Sequence, residues 1–174
     1  MSLESLVEQF STRALPPVEK WQPTCERTID MRIDRSGAWH YNGSVVDRTR
    51  MVALFSSVLR REGDQYFLVT PAEKLHITVE LAPFVALLLD VADEGGSQVL
   101  RFTDNCGNQT VADQHHPVWL EDDSEQLPYI IVRDNLPALI SRSVYYQLAD
   151  LLVEHRGSYG VWSAGQFFVF ADLL

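Results

Sequence analysis

Long apolar runs are missing from this sequence. The longest, Phe84 to Leu89, falls far short of the roughly 20 residues that a membrane-spanning helix needs, so no membrane span is expected. The opening residues, MSLESLVEQF, lack the basic start, apolar stretch and small-residue cleavage site of a signal peptide, which argues for a cytoplasmic protein. Cysteine is scarce: Cys25 and Cys106 stand far apart, form no disulfide framework and are expected to stay reduced. Positive charge is outnumbered, with 14 Lys and Arg against 24 Asp and Glu for a net charge of −10. Both halves of the chain are acidic, so a phosphate-tracking surface is not expected, and nucleic acid is not the expected partner. Glycines are too scattered for a phosphate cradle, and neither G-x-G-x-x-G nor G-x-x-x-x-G-K-[ST] occurs. No H-x-H, H-x-x-x-H or C-x-x-C spacing is present. The adjacent His115 and His116 would point to opposite faces of an extended segment, so no metal or other cofactor is expected.

What is present is an ordinary globular composition, 46% apolar, at a length of 174 residues that suits one large domain or two small ones. Leu3, Leu6, Val7 and Phe10 recur at helical spacing behind a Ser2 cap, and Pro16-Pro17 ends that helix. Ile29, Met31 and Ile33 alternate with Asp30, Arg32 and Asp34, predicting a strand that turns at Ser36-Gly37 and returns through Ala38 to Tyr41. Asn42-Gly43 breaks the return strand. Asp47 then caps a helix with Met51, Leu54, Phe55, Val58 and Leu59 on one stripe and Arg50, Ser57, Arg60 and Arg61 facing out, with Gly63 as its stop. Tyr66 to Thr70 and the alternating Leu75, Ile77 and Val79 follow as strands. From Phe84 onward short strands alternate with turns, among them Asp104-Asn105-Cys106-Gly107-Asn108 and the acidic loop from Glu121 to Glu125. Ser141 caps a long helix with Val144, Tyr145, Leu148, Leu151 and Leu152 inside and Gly157 as its end. Closing strands run through Val161 to Ser163 and Phe167 to Phe170.

The two halves repeat one pattern. A hairpin leads into a capped helix, then to a glycine, a tyrosine and a strand, and an offset of about 94 residues lays Arg48 on Arg142 and Leu54 on Leu148. The expected fold is α+β: two related hairpin, helix and strand units with mainly antiparallel sheets. The expected division is an N-terminal helix and linker over residues 1–20, an α+β unit over 21–82, and a β-rich unit with one long helix over 83–174.

No catalytic signature emerges. Ser163 in Gly160-Val161-Trp162-Ser163 invites comparison with a nucleophile elbow, but that turn needs glycine two residues before the serine and Val161 stands there. Ser163 is therefore read as a polar turn residue. The richest polar stretch surrounds the first helix exit, and its candidate ligand-binding residues are Trp39, Arg60, Arg61, Glu62, Asp64, Thr70, Glu73 and Lys74. Two uses fit those residue types: a binding groove between the duplicated units, or acid–base chemistry by Glu62, Asp64 or Glu73.

The run Leu54-Phe55-Ser56-Ser57-Val58-Leu59-Arg60-Arg61-Glu62-Gly63-Asp64-Gln65-Tyr66-Phe67-Leu68-Val69-Thr70-Pro71-Ala72-Glu73-Lys74 closely resembles the bacterial domain-of-unknown-function family twelve eighty-five. Pro128 to Arg133, Ala138 to Tyr146 and Gly160 to Ser163 carry the likeness further, so that it covers about residues 20 to 170. The resemblance implies a duplicated α+β fold whose C-terminal half is superficially similar to a pleckstrin-homology-like barrel. It also implies a ligand-binding or signalling role with no established activity. Together these expectations describe a non-enzymatic module for a small molecule or a protein partner, with the small acid–base enzyme as the rival reading.

Overall fold

The structure is a computed structural model that describes residues 15–172, so the amphipathic segment around Leu3 to Phe10 lies outside the described residues. The chain divides into two compact units, one ending at Pro83 and the other beginning at Phe84. Each is an α+β unit of mainly antiparallel strands with one short helix. No described helix is long and apolar enough to cross a membrane.

In the N-terminal unit the alternating segment forms β1 (Cys25–Ile33), with Met31 and Ile33 fully buried at its end. Asn42 and Gly43 both adopt positive φ (48° and 79°) and make the two-residue turn between β2 (Trp39–Tyr41) and β3 (Ser44–Val45). The expected strand break is thus a hairpin. Helix α1 (Thr49–Ser57) is shorter than its apolar stripe. Arg48 rather than Asp47 takes the cap position, and the chain leaves the helix at Val58. Leu59, Arg60 and Arg61 therefore belong to a strand, β4 (Leu59–Glu62), which pairs with β5 (Gln65–Val69) and then β6 (Glu73–Val79). Gly63 does not stop a helix; at φ 59° it makes the β4–β5 turn. All strands join one sheet in the order β3-β2-β1-β6-β5-β4, in which only β1 and β6 run parallel. Phe55 of α1 packs 5.8 Å from Trp39 in the core, a burial worth roughly 1.5–3 kcal/mol for such a side chain.

The C-terminal unit holds a six-stranded sheet in the order β10-β11-β12-β7-β8-β9. Its strands are β7 (Phe84–Glu94), β8 (Ser97–Asp104), β9 (Gln109–Val111), β10 (Val118–Leu120), β11 (Pro128–Arg133) and β12 (Leu136–Ile140). Helix α2 (Arg142–Ala149) buries Val144 and Leu148 and is eight residues long, not the long helix expected. Leu151 ends its turn region, and Gly157 lies in a hairpin between β13 (Val153–His155) and β14 (Ser158–Ser163). A last strand, β15 (Gln166–Asp172), completes a three-stranded sheet.

The two helix-to-meander segments repeat residue by residue. Adding 93 to Leu59↔Leu68, Arg60↔Phe67, Arg61↔Tyr66 and Glu62↔Gln65 reproduces the β13–β14 register where β13 is present: Val153↔Gly160, Glu154↔Tyr159 and His155↔Ser158. The same shift carries Phe67↔His76, Leu68↔Leu75 and Val69↔Lys74 onto Gly160↔Val169, Val161↔Phe168 and Trp162↔Phe167. It also carries the cap residue Arg48 onto Ser141 and the buried Phe55 onto Leu148. The sequence offset of about 94, which lays Arg48 on Arg142 and Gly63 on Gly157, differs from this register by one, and the two turns differ. Gly63 alone takes positive φ at the first turn position, whereas Arg156 and Gly157 (51° and 82°) both do so in the second.

Candidate functional site

Because side chains alternate across a strand, β4, β5 and β6 divide the polar stretch between two faces. Arg60, Glu62, Phe67 and Lys74 share one face, as their opposed pairs require. Arg61, Tyr66 and Glu73 lie on the other. Trp39 is two strands away in the core and Asp64 is fully exposed at the hairpin tip. The eight residues singled out by composition do not converge on one point.

The first face is an ion-pair lattice. Arg60, only 6% exposed, donates through Nη1 to the carbonyls of Val18 (3.0 Å) and Trp21 (2.8 Å) and through Nη2 to Glu62 Oε1 (2.5 Å). Lys74 Nζ donates to Glu62 Oε2 (3.0 Å), pairs with Glu26 (2.8 Å) and sits 4.4 Å from the centre of the Phe67 ring. The hydrogen bond from Lys74 holds the Glu62 carboxyl below the usual range, with Arg60 adding to it against the opposing effect of burial. The bond to Glu26, then that to Glu62, pushes Lys74 upward. A carboxylate with both oxygens saturated by cations is built to stay ionised. It braces β4, β6, β1 and the short 3-10 turn at Val18–Lys20.

On the opposite face Glu73, itself buried, pairs with Arg27 (3.2 Å). Arg61 donates to the Gly63 carbonyl (2.9 Å) and lies 5.6 Å from the Tyr66 ring centre. Burial pushes the Tyr66 phenol upward. Thr70 Oγ1 accepts from the amides of Ala72 (3.2 Å) and Glu73 (3.0 Å), which shapes the β5–β6 turn. Shifted by 93, Thr70 falls on Ser163, and both are completely buried. Ser163 Oγ donates to the Ala112 carbonyl (2.7 Å) and accepts from the Leu100 amide (2.9 Å), sewing β14 to the end of the larger sheet. It closes a strand rather than lying in a turn, and both its bonds hold structure.

Two aspartate-centred loops also repeat. Asp34 Oδ1 accepts from the amides of Ser36 (2.9 Å) and Ala38 (3.1 Å). Asp104 Oδ1 accepts from those of Cys106 (2.8 Å) and Asn108 (3.0 Å). In each the glycine three residues on, Gly37 or Gly107, donates to the aspartate carbonyl. The shared D-x-x-G spacing was readable in the sequence, and the composition-led reading passed over it. Asp34 also meets His40 Nε2 at 2.7 Å. No group of three or more His, Cys, Asp or Glu among the described residues is placed to hold a metal ion.

Two hollows open in the C-terminal unit. One, of about 350 Å³, is lined by Gly96, Ser97, Gln98, Leu151, Val153 and Trp162, with no charged side chain among the described residues that line it. The other, of about 480 Å³, lies where the loop before β11, the end of β12 and the start of α2 meet. Leu127, Pro128 and Leu139 give it an apolar lining, Tyr145 and Tyr146 add aromatic rings, and Arg142 adds a cation. Arg142 has no ion-pair partner among the described residues. Sequence reasoning missed this hollow because its residues come from three segments whose adjacency is set by tertiary structure. Tyr145, assigned to a helix core stripe, is only half-buried, its ring 6.4 Å from Phe170.

Comparison with protein families finds the two halves of one family. The N-terminal domain of the domain of unknown function DUF1285 matches residues 16–82, and its C-terminal domain matches residues 83–170. The chain belongs to the DUF1285 family. Among solved structures it is similar to a DUF1285 family protein from Silicibacter pomeroyi DSS-3, with 41% identity and a TM-score of 0.89 over 99% of this chain and 96% of that one. It is also similar to a DUF1285 family protein from Shewanella baltica OS155, with 27% identity and a TM-score of 0.56 over 69% of this chain and 90% of that one. A search of curated proteins gives no match.

Proposed function

We propose that this DUF1285 protein is a non-enzymatic binding module with a regulatory role, and that it takes a small ligand in the hollow beside α2. The observation that carries this reading is the cavity itself. At about 480 Å³ it falls within the size range of small-molecule sites, and its lining combines apolar side chains with a few polar groups. The likeness of the C-terminal half to pleckstrin-homology-like barrels, which rests on the resemblance alone, points the same way, toward recognition rather than turnover.

In this proposal the charged corner of the N-terminal unit is a brace. Its cations are already engaged: Arg60 by two carbonyls and Glu62, Lys74 by Glu26 and Glu62. Against acid–base work by Glu62, Asp64 or Glu73 stand their surroundings. Glu62 is held ionised between two cations, Glu73 is paired with Arg27, and Asp64 projects fully exposed from a hairpin tip. A general acid or base needs a pKa near the working pH inside a concave site.

A thermal-shift screen with a metabolite library tests the reading. Binders are expected to raise the melting temperature of the wild type, to have no effect on the cavity-filling variant Leu139→Trp, and to be recovered chemically unchanged. Consumption of a binder with turnover would make the protein an enzyme, and stabilisation that survives Leu139→Trp would move the site elsewhere.

A further inference from the structure

The chemistry of the same hollow narrows the ligand class, an inference that rests on the proposed cavity site. Among the described residues its lining includes one cation, Arg142, and one acid, Glu125. Leu127, Pro128 and Leu139 offer a greasy bed. Tyr145 is steadied by Phe170, while Tyr146 is 60% exposed and stands at the rim. An arginine fork matches a carboxylate through two parallel hydrogen bonds. A second negative charge on the ligand would meet the field of a chain whose net charge is −10. The described lining of the other hollow offers no charge to orient an ion.

We infer that the cavity binds an amphipathic monocarboxylate: a single carboxylate set against Arg142, with an aromatic or short aliphatic body lying on Leu127, Pro128 and Leu139 between the tyrosine rings. Neutral analogues lose the arginine, and dianionic phosphate esters are disfavoured by the acidic field of the chain.

The test is an amide-shift titration of isotope-labelled full-length protein with three probes of one shape: benzoate, benzamide and phenyl phosphate. Benzoate is expected to move the resonances of residues 125–127 and 139–146 and to bind at least about tenfold more tightly than benzamide, the affinity ratio that corresponds to 1.4 kcal/mol. Phenyl phosphate is expected to bind more weakly than benzoate. Arg142 is exposed, so Arg142→Gln is expected to fold, as its own amide spectrum will verify. It should bring benzoate down to the benzamide level and leave benzamide unchanged. The inference is overturned if benzamide matches benzoate, if phenyl phosphate binds best, if Arg142→Gln leaves benzoate binding intact, or if no probe moves those resonances. The metabolite screen against Leu139→Trp separately decides whether the cavity is the site at all.

Discussion

The two meanders carry opposite chemistry on equivalent positions. Where the N-terminal unit has Arg60, Glu62 and Lys74, the C-terminal unit has Val153, His155 and Phe167. The ion-pair lattice gives way to a cluster in which His155, Trp162 and Phe167 lie 4.9 to 5.1 Å apart. What both copies keep is on the other face: Leu68 against Leu75 in one, Val161 against Phe168 in the other, all buried. Partly exposed ion pairs contribute about 0–1 kcal/mol each and aromatic pairs roughly 0.5–1.5 kcal/mol, so either can decorate the frame. The buried cross-strand pair, which loses water entirely, sets it. This comparison sharpens the proposal that the richest polar stretch of the sequence is an alternative way of gluing one frame, with the α2 hollow in the other copy.

The largest expected effect comes from exchanging a side chain between copies. Gly160 stands where the first unit has Phe67, and a Cβ there would lie 2.1 Å from the Phe168 carbonyl oxygen. Backbone cannot yield that distance cheaply. Gly160→Ala is therefore expected to destabilise the C-terminal unit by about 3 kcal/mol in urea unfolding, at the upper end of overpacking costs. Phe67→Ala should cost a similar ~3–5 kcal/mol in the N-terminal unit for the opposite reason, a cavity. A silent Gly160→Ala would break the register equivalence.

Next is the brace. Arg60→Met removes hydrogen bonds from a charged group to Val18, Trp21 and Glu62. The expected loss is about 2–3 kcal/mol, together with faster amide exchange around residues 18–21. Lys74→Met, at a more exposed pair, should cost clearly less than Arg60→Met. Equal costs would mean that the lattice acts as one unit rather than through the buried arginine.

The smallest effect separates the aspartate loops. Burial tends to raise the Asp34 carboxyl, but bonds from the Ser36 hydroxyl, His40 and the Ala38 and Ser36 amides outweigh it and hold it well below its ordinary 3.8. A depressed carboxyl adds stability above its unfolded value and loses it as pH falls toward the folded one. Wild-type stability should therefore decline from about pH 4 toward pH 2. Asp34→Asn should cost about 1 kcal/mol at neutral pH and flatten that decline, which stability curves against pH would measure.

Much of this frame was legible in the residues. Alternation at Ile29, Met31 and Ile33 and at Leu75, Ile77 and Val79 announced β1 and β6, and the repeat was visible before any coordinates. The helix ends were not legible. Val58 and Leu59 continue the 3.6-residue stripe of Leu54 and Phe55, so the switch to strand is hidden until Leu59 is seen to pair with Leu68. Gly63 and Gly157 look the same at a helix end and in a two-residue hairpin. The candidate site suffered from the same ambiguity. Read as a helix exit, Arg60 to Lys74 form one cluster; read as strands of period two, they part between two faces. The cavity beside α2 left no local signal, because Leu127, Leu139 and Arg142 meet only once β11, β12 and α2 are in place.

A ligand-induced shift map of the full-length protein in the presence of a bound metabolite would test the central claim most directly. The account predicts perturbed amides confined to residues 125–127 and 139–146, with residues 60–74 unmoved. Perturbations centred on Arg60, Glu62 and Lys74, with the α2 hollow silent, would contradict it.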